Sequence, residues 1–98
     1  MYAWSYEVLP DHQAAFVAAY GPDGAWTRLF RLADGYLDTR LYRDHRAPDR
    51  FVTIDRWSSA DAFDVFRKAH AAEFEALDRE CARWTRSETE LGRFAELT

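Results

Sequence analysis

The chain has 98 residues, a length that predicts one domain over residues 1–98. Hydrophobic residues make up 48% and aromatic residues 16%, which excludes a disordered chain. The net charge of −4, with scattered basic residues, argues against nucleic-acid binding, and no apolar stretch approaches the roughly 20 residues of a membrane span. Cys81 is the single cysteine, so neither an internal disulfide nor a CxxC metal site is possible. No signal peptide is visible, so we expect a cytoplasmic protein.

The first half of the chain predicts a strand followed by two helical pieces. Residues 2–9 alternate large and small side chains, as in a strand, and Pro10 ends this pattern. A helical pattern begins at Asp11. The run Gly-Pro-Asp-Gly at 21–24 interrupts it, and helical spacing resumes at Trp26. We therefore expect a kinked first helical region.

The second half predicts a hairpin, a long helix and a last strand. Residues 36–43 and 50–57 alternate as strands on either side of a short polar turn. Ser58 and Asp61 have the spacing of a helix capping box. Residues 84–91 alternate again as a fourth strand. The apolar stripe of the long helix is formed by Phe63, Phe66, His70, Phe74, Leu77 and Cys81.

The order β-α-β-β-α-β is that of the ferredoxin-like fold, an α+β fold with helices on one face of a four-stranded antiparallel sheet. The other face, called the open face below, has no helix to cover it. Alternation in the hairpin assigns one face to Leu37, Thr39, Leu41, Val52 and Ile54. It assigns the other to Tyr36, Asp38, Arg40, Tyr42, Phe51, Thr53, Asp55 and Trp57. Because neither set is mostly charged, we expect a homodimer through the open face.

His70 is the polar interruption of the apolar stripe, at a position that points toward the sheet. One interpretation is a packed, hydrogen-bonded core histidine, because histidine is intermediate in burial. The other is a functional residue, because histidine titrates near neutral pH. We expect a cleft between helices and sheet, lined by His70 and Trp57, with Tyr36 and Arg40 nearby.

Trp57 ends the third predicted strand, directly before the helix that carries His70. It is either a core tryptophan or a flat wall for an aromatic ligand, with its indole N–H as a donor. On the same predicted face, Arg40 either pairs with Asp38 and Asp55 or contacts a ligand. The residues predicted to bind a small aromatic or apolar substrate are Tyr36, Arg40, Asp55, Trp26 and Phe30.

Motifs for common cofactors and nucleophiles are absent from the sequence. It contains no glycine-rich phosphate loop, no HExxH zinc motif and no nucleophile elbow. Glu7, Glu88 and Glu90 lie on predicted strands without a recognisable acid–base spacing. We therefore expect neither a bound metal nor another cofactor.

Three successive passages form a recognisable pattern. Residues 35–44 read Gly-Tyr-Leu-Asp-Thr-Arg-Leu-Tyr-Arg-Asp, residues 50–59 read Arg-Phe-Val-Thr-Ile-Asp-Arg-Trp-Ser-Ser, and residues 62–63 read Ala-Phe. This hairpin-to-helix passage resembles the antibiotic biosynthesis monooxygenase family. The likeness is strong over the middle third of the chain, and the order of elements extends it to the whole. The resemblance implies a dimeric α/β barrel, with two sheets face to face and helices outside.

The resemblance also implies activities. Some members of the family oxidise polycyclic phenols or anthrones to quinones without a cofactor, and others degrade haem. Trp57 matches the family's pocket tryptophan. The haem degraders complete their site with an asparagine and a helix histidine. This chain has no asparagine, and His70 lies about one helical turn beyond the expected place, which disfavours haem degradation. The quinone-forming members also use an asparagine that this chain lacks.

Two functions stay open at this point. The first is a cofactor-independent monooxygenase that acts on a small electron-rich phenol, anthrone or quinol. In it, His70 would be the base, Trp57 and Tyr36 would hold the ring, and Arg40 would stabilise an anion. The second is a non-catalytic or stress-related dimeric domain that binds a small molecule.

Overall fold

The computed structural model describes residues 1–97 and has the expected α+β ferredoxin-like architecture. Its strands and helices are β1 (Tyr2–Val8), α1 (Gln13–Tyr20), α2 (Ala25–Phe30), β2 (Tyr36–Arg43), β3 (Arg50–Trp57), α3 (Ala62–Ala69), α4 (Ala71–Ala82) and β4 (Thr85–Arg93). The strands form an antiparallel sheet in the order β2-β3-β1-β4. The helices cover one face of this sheet, so the predicted fold is confirmed.

The predicted kink between α1 and α2 is present and depends on Gly24. A Cβ atom at this position would collide with the backbone carbonyls of Ala18 and Ala19. Glycine therefore allows the chain to fold back closely against the end of α1. Because of this turn, Trp26 and Phe30 of α2 point inward and are buried.

The long helix that the apolar stripe predicts is broken at His70. That residue has φ −121° and ψ 37°, outside the helical region, and separates α3 from α4. The prediction of one continuous helix was wrong, although no Pro or Gly marks the break. Phe66 before the break and Phe74 after it pack on the same aromatic cluster, with ring centroids 6.4 Å apart. Asp61 precedes α3 but makes no side-chain capping hydrogen bond.

The two faces of the hairpin differ from those predicted by alternation alone. An irregularity between Tyr36 and Asp38 shifts the register of β2, so that Thr39 pairs with Asp55 and Arg40 pairs with Ile54. The helix-covered face carries Tyr36, Thr39, Leu41, Phe51, Thr53, Asp55 and Trp57. The open face carries Asp38, Arg40, Tyr42, Val52, Ile54 and Arg56.

The core is built mainly from rings between the helices and the sheet. Phe16 is fully buried and stacks on Tyr20 at 4.0 Å between ring centroids. Phe51 and Phe66 are each 2% exposed and extend the core along the sheet. Rings of this size leave irregular gaps between elements, and one gap is large enough to be a site.

Candidate functional site

A cavity of about 270 Å³ lies between the helices and the sheet. We call it the aromatic cavity, because eight of its lining residues carry rings. These are Tyr2, Trp4, Tyr6, Tyr20, Trp26, Phe30, Phe63 and Phe74. At about 30 Å³ per water, the space corresponds to about nine water molecules. It therefore suits a small aromatic molecule of one or two rings.

Three polar side chains of the hairpin form the floor of the cavity: Thr39, Thr53 and Asp55. Asp55 is 8% exposed, so its carboxyl is nearly removed from water. Thr39 Oγ1 donates a hydrogen bond to Asp55 Oδ1 at 2.5 Å, and Tyr36 Oη lies 2.7 Å from the same Thr39 oxygen. Because the Thr39 proton goes to Asp55, Tyr36 donates to Thr39. This chain of hydrogen bonds orients the carboxyl.

Asp55 has the electrostatic character of a general base. Burial raises its pKa from the ordinary 3.8 to about 6; the hydrogen bond from Thr39 opposes this rise, and the charge of Asp38 adds to it. No Arg or Lys among residues 1–97 forms an ion pair with Asp55. Its second oxygen, Oδ2, receives no hydrogen bond from these residues and is available to a ligand. A carboxylate with a pKa near 6 is ionised at neutral pH and accepts a proton efficiently.

Charged residues surround the mouth of the cavity: Arg67 from α3, Asp78 from α4 and Glu88 from β4. Loss of water and the neighbouring Asp78 raise the pKa of Glu88. The Arg67 guanidinium lies 4.1 Å from the centre of the Phe74 ring. The mouth is therefore rich in carboxylates, and its single cation is held against an aromatic ring.

Two tryptophans have buried indole N–H groups without a partner among residues 1–97, Trp26 and Trp57. Trp26 lines the aromatic cavity and is 6% exposed. The Trp26 Nε1 atom is not accessible from the cavity and lies beside the Tyr20 hydroxyl and the Cys81 thiol, so Trp26 contributes its ring face, and not its N–H, to the site. The Trp57 N–H is not on the cavity wall.

The structure separates the residues that were predicted to share a cleft. Trp26, Phe30 and Asp55 line the aromatic cavity, and their role in substrate binding stays a prediction. Trp57 packs behind the wall, with its ring 5.3 Å from Phe30 and 5.5 Å from Phe63. Tyr36 reaches the cavity only through its hydrogen bond to Thr39.

Two predicted positions were wrong. Arg40 lies exposed on the open face, opposite Ile54, because the register shift in β2 turns it away from the helices. It forms no ion pair with Asp38 or Asp55: Asp38 binds Arg56 at 2.6 and 2.8 Å. His70 lies at the break between α3 and α4, outside the cavity lining, with Nδ1 2.8 Å from Glu73 Oε2.

Several lining residues were not singled out from the sequence. Tyr6 is the most important of them, because its hydroxyl lies 3.3 Å from Thr53 Oγ1. In the sheet, Tyr6 of β1 lies opposite Glu88 of β4. A usable signal existed in β3. One face of this strand carries Phe51, Thr53, Asp55 and Trp57. Polar residues on an otherwise apolar face indicate a functional site or a hydrogen-bond network.

Neither a metal cluster nor a spanning helix is found in the part of the chain that the structure describes. Across residues 1–97, no three His, Cys, Asp or Glu side chains are grouped closely enough to hold a metal ion. No helix in the same range is both long and apolar enough to cross a membrane.

The fold and an aromatic cavity with a buried carboxyl define a small α+β domain with a ligand site between sheet and helices. The family profile of antibiotic biosynthesis monooxygenases matches residues 3–77, and the chain belongs to this family. Membership points to a monooxygenase-type function. No curated protein matches the sequence.

Solved structures agree with this assignment. A candidate antibiotic biosynthesis monooxygenase of Bordetella bronchiseptica is 25% identical, with a TM-score of 0.76 over 98% of this chain and 95% of that one. The protein Rv0793 of Mycobacterium tuberculosis is 19% identical, with a TM-score of 0.70 over 99% and 96% of the two chains. A candidate family member from Nitrosomonas europaea is 16% identical, with a TM-score of 0.68 over 92% and 83%. The last two likenesses concern the fold alone.

Proposed function

We propose that this chain oxidises a small electron-rich aromatic hydroxyl compound with molecular oxygen, without a cofactor, and that Asp55 is the general base. The observation that carries the proposal is the buried Asp55 carboxyl, with a pKa of about 6, at the floor of a cavity lined by rings. Family membership supports an oxygenase. We assign the role of general base to Asp55 and not to His70, because Asp55 lines the aromatic cavity and His70 does not.

The reaction balances for a phenol or naphthol that becomes a quinone. Asp55 Oδ2 takes the hydroxyl proton, and the electron-rich ring carbon attacks O₂ to form a C–O bond. The peroxide takes a proton and becomes a hydroperoxide. Loss of the C–H proton and cleavage of the O–O bond then give the second carbonyl and water. The substrate loses four electrons, and O₂ gains four.

Each neighbour of Asp55 has a role in this chemistry. Thr39 holds one carboxyl oxygen, which leaves Oδ2 directed at the substrate. The rings of Trp26 and Phe30 form a flat apolar wall against which an aromatic plane packs. Burial of the carboxyl at the floor of the cavity keeps Asp55 basic enough to act near neutral pH.

Oxygen uptake with phenol and 1-naphthol tests the proposal, with quinone formation followed by absorbance. We expect turnover with at least one compound, and a loss of about 10²–10⁴-fold in Asp55→Asn, the range for a missing general base. Asp44→Asn is the matched control, because Asp44 lies at the end of the same hairpin, bonded to Arg50 and outside the cavity. Binding without oxygen uptake would contradict catalysis and favour a binding domain.

We also propose a homodimer through the open face. Val52 and Ile54 lie on that face beside the small residues Ala3 and Ser5, so the sheet presents an apolar strip between charged edges. Light scattering should show a dimer that Ile54→Glu converts to a monomer. Val65→Glu is the control, because Val65 is equally apolar and 66% exposed on α3. A wild-type monomer at micromolar concentration would contradict this assembly.

A further inference from the structure

We propose that the substrate carries a protonated amine as well as an aromatic hydroxyl, with its ammonium group at the cavity mouth and its ring beside Asp55. This inference rests on the proposed function and names the substrate class for the same site. It is carried by the unbalanced charge of the aromatic cavity, by its rings and by the free Oδ2 oxygen of the buried Asp55 carboxyl.

Three carboxyl groups face the cavity from three elements that meet there: Asp55 from β3, Asp78 from α4 and Glu88 from β4. None of them forms an ion pair with an Arg or Lys of residues 1–97. Burial raises the pKa of Tyr6, and the charges of all three carboxylates raise it further, so their fields overlap at one hydroxyl. Asp78 and Glu88 are exposed, whereas Asp55 is buried without a cationic partner, so the cavity lining carries an uncompensated negative charge.

The one cation of the lining does not supply that partner. Arg67 Nη2 lies 3.7 Å from Glu75 Oε1, and the guanidinium stacks on Phe74. Arg40, which the sequence suggested as a stabiliser of the substrate anion, lies on the open face. A phenolate that forms beside Asp55 therefore needs a positive charge from elsewhere. An ammonium group on the substrate itself provides it.

The rings suit such a ligand. Tryptophan is the best cation–π partner, and aromatic cages are a common means of holding organic ammonium groups. Trp4 and Trp26 both line the cavity, together with three tyrosines. At the floor of the same cavity, the buried Asp55 carboxyl has an oxygen, Oδ2, that receives no hydrogen bond from residues 1–97. The cavity thus offers acceptors and π faces to an ammonium group, whereas a carboxylate would meet like charges.

Three phenols that differ only in the side-chain terminus test the proposal: tyramine, 4-ethylphenol and 3-(4-hydroxyphenyl)propanoate. Their dissociation constants are measured near neutral pH and at low salt by calorimetry. We expect tyramine to bind about tenfold more tightly than 4-ethylphenol, since a desolvated cation–π contact is worth about 1–2 kcal/mol. We expect the propanoate to bind most weakly, and added salt to reduce the preference for tyramine.

Two substitutions test whether the carboxylates of the cavity cause the preference for tyramine. Glu88→Gln and Asp78→Asn should each lower tyramine affinity more than 4-ethylphenol affinity. Glu80→Gln is the control, because Glu80 is exposed on α4 near Asp78 but outside the cavity lining. Equal affinity for tyramine and 4-ethylphenol, tighter binding of the propanoate, or no binding of any probe would overturn the inference.

The same probes separate this inference from the proposed function. Oxidation of naphthol by a protein without any preference for the amine would refute the charged substrate and leave the oxygenase standing. A clear preference for tyramine without oxygen uptake by any compound would refute the oxygenase and leave a binding site for aromatic amines.

Discussion

Replacing Asp55 with Asn should stabilise the protein while it destroys the proposed activity. The side chain keeps its size, and the amide oxygen still accepts the hydrogen bond that Thr39 now donates to Oδ1. What disappears is a buried negative charge without a cationic partner, the feature that raises the pKa of Asp55 to about 6. A residue retained at a cost in stability is typical of functional sites.

The magnitude follows from the two pKa values. The displacement from 3.8 in the unfolded chain to about 6 in the folded one corresponds to about 3 kcal/mol, at 1.36 kcal/mol per pH unit. The folded state binds more protons than the unfolded state between these values, so wild-type stability falls as the pH rises from about 4 to about 6. Above that window the full penalty is present, and below it the penalty is absent.

Urea unfolding of both proteins across this pH range measures the effect. Asp55→Asn should match wild type near pH 4 or below and exceed it by up to about 3 kcal/mol above pH 6. Asp44→Asn should differ from wild type by a nearly constant amount between about pH 4 and 6, because the backbone N–H of Arg46 and the Arg50 side chain lower the pKa of Asp44 and so confine its titration to lower pH. A difference between Asp55→Asn and wild type that does not change with pH would refute the buried-charge argument.

Three further outcomes follow from the same geometry. Wild-type turnover should rise as the pH passes through about 6 and then level off, because Asp55 must lose its proton to act as a base; a profile without this step would contradict the role. His70→Ala should retain wild-type turnover in the oxygen-uptake assay, since the residue lies outside the cavity lining; a large loss would restore His70 as a candidate base. Trp4→Leu should weaken binding of tyramine more than binding of 4-ethylphenol, since it removes one π face from the cavity lining; an equal loss for both compounds would contradict the cation–π contact.

The elements of the fold were readable from local pattern. Alternation predicted β2 and β3 with the bounds that the structure shows, and Gly24 with its neighbours marked the turn between α1 and α2. These features depend on side-chain period and on backbone freedom within a few residues, which a sequence displays directly. The family resemblance came from the same hairpin and is confirmed.

The site was only partly readable. Trp26, Phe30 and Asp55 were predicted as substrate contacts and do line the cavity, because each is large or polar at an inward position of its own element. Arg40 and His70 were predicted beside them and lie elsewhere. Both predictions assumed that local periodicity continues unbroken, through β2 in one case and through the long helix in the other.

The pairing of the strands and the packing of the helices determined which side chains reach the cavity, and the local sequence pattern did not. A strand slipped by one residue presents its opposite face, so the irregularity near Tyr36 alone determines that Thr39 meets Asp55 and that Arg40 faces away. The break at His70 likewise has no marker in the sequence and accompanies the packing of Phe66 and Phe74 on one cluster. Composition and period determined the elements of this protein; the register of non-local pairs and the packing of large rings determined which side chains enclose a cavity around Asp55.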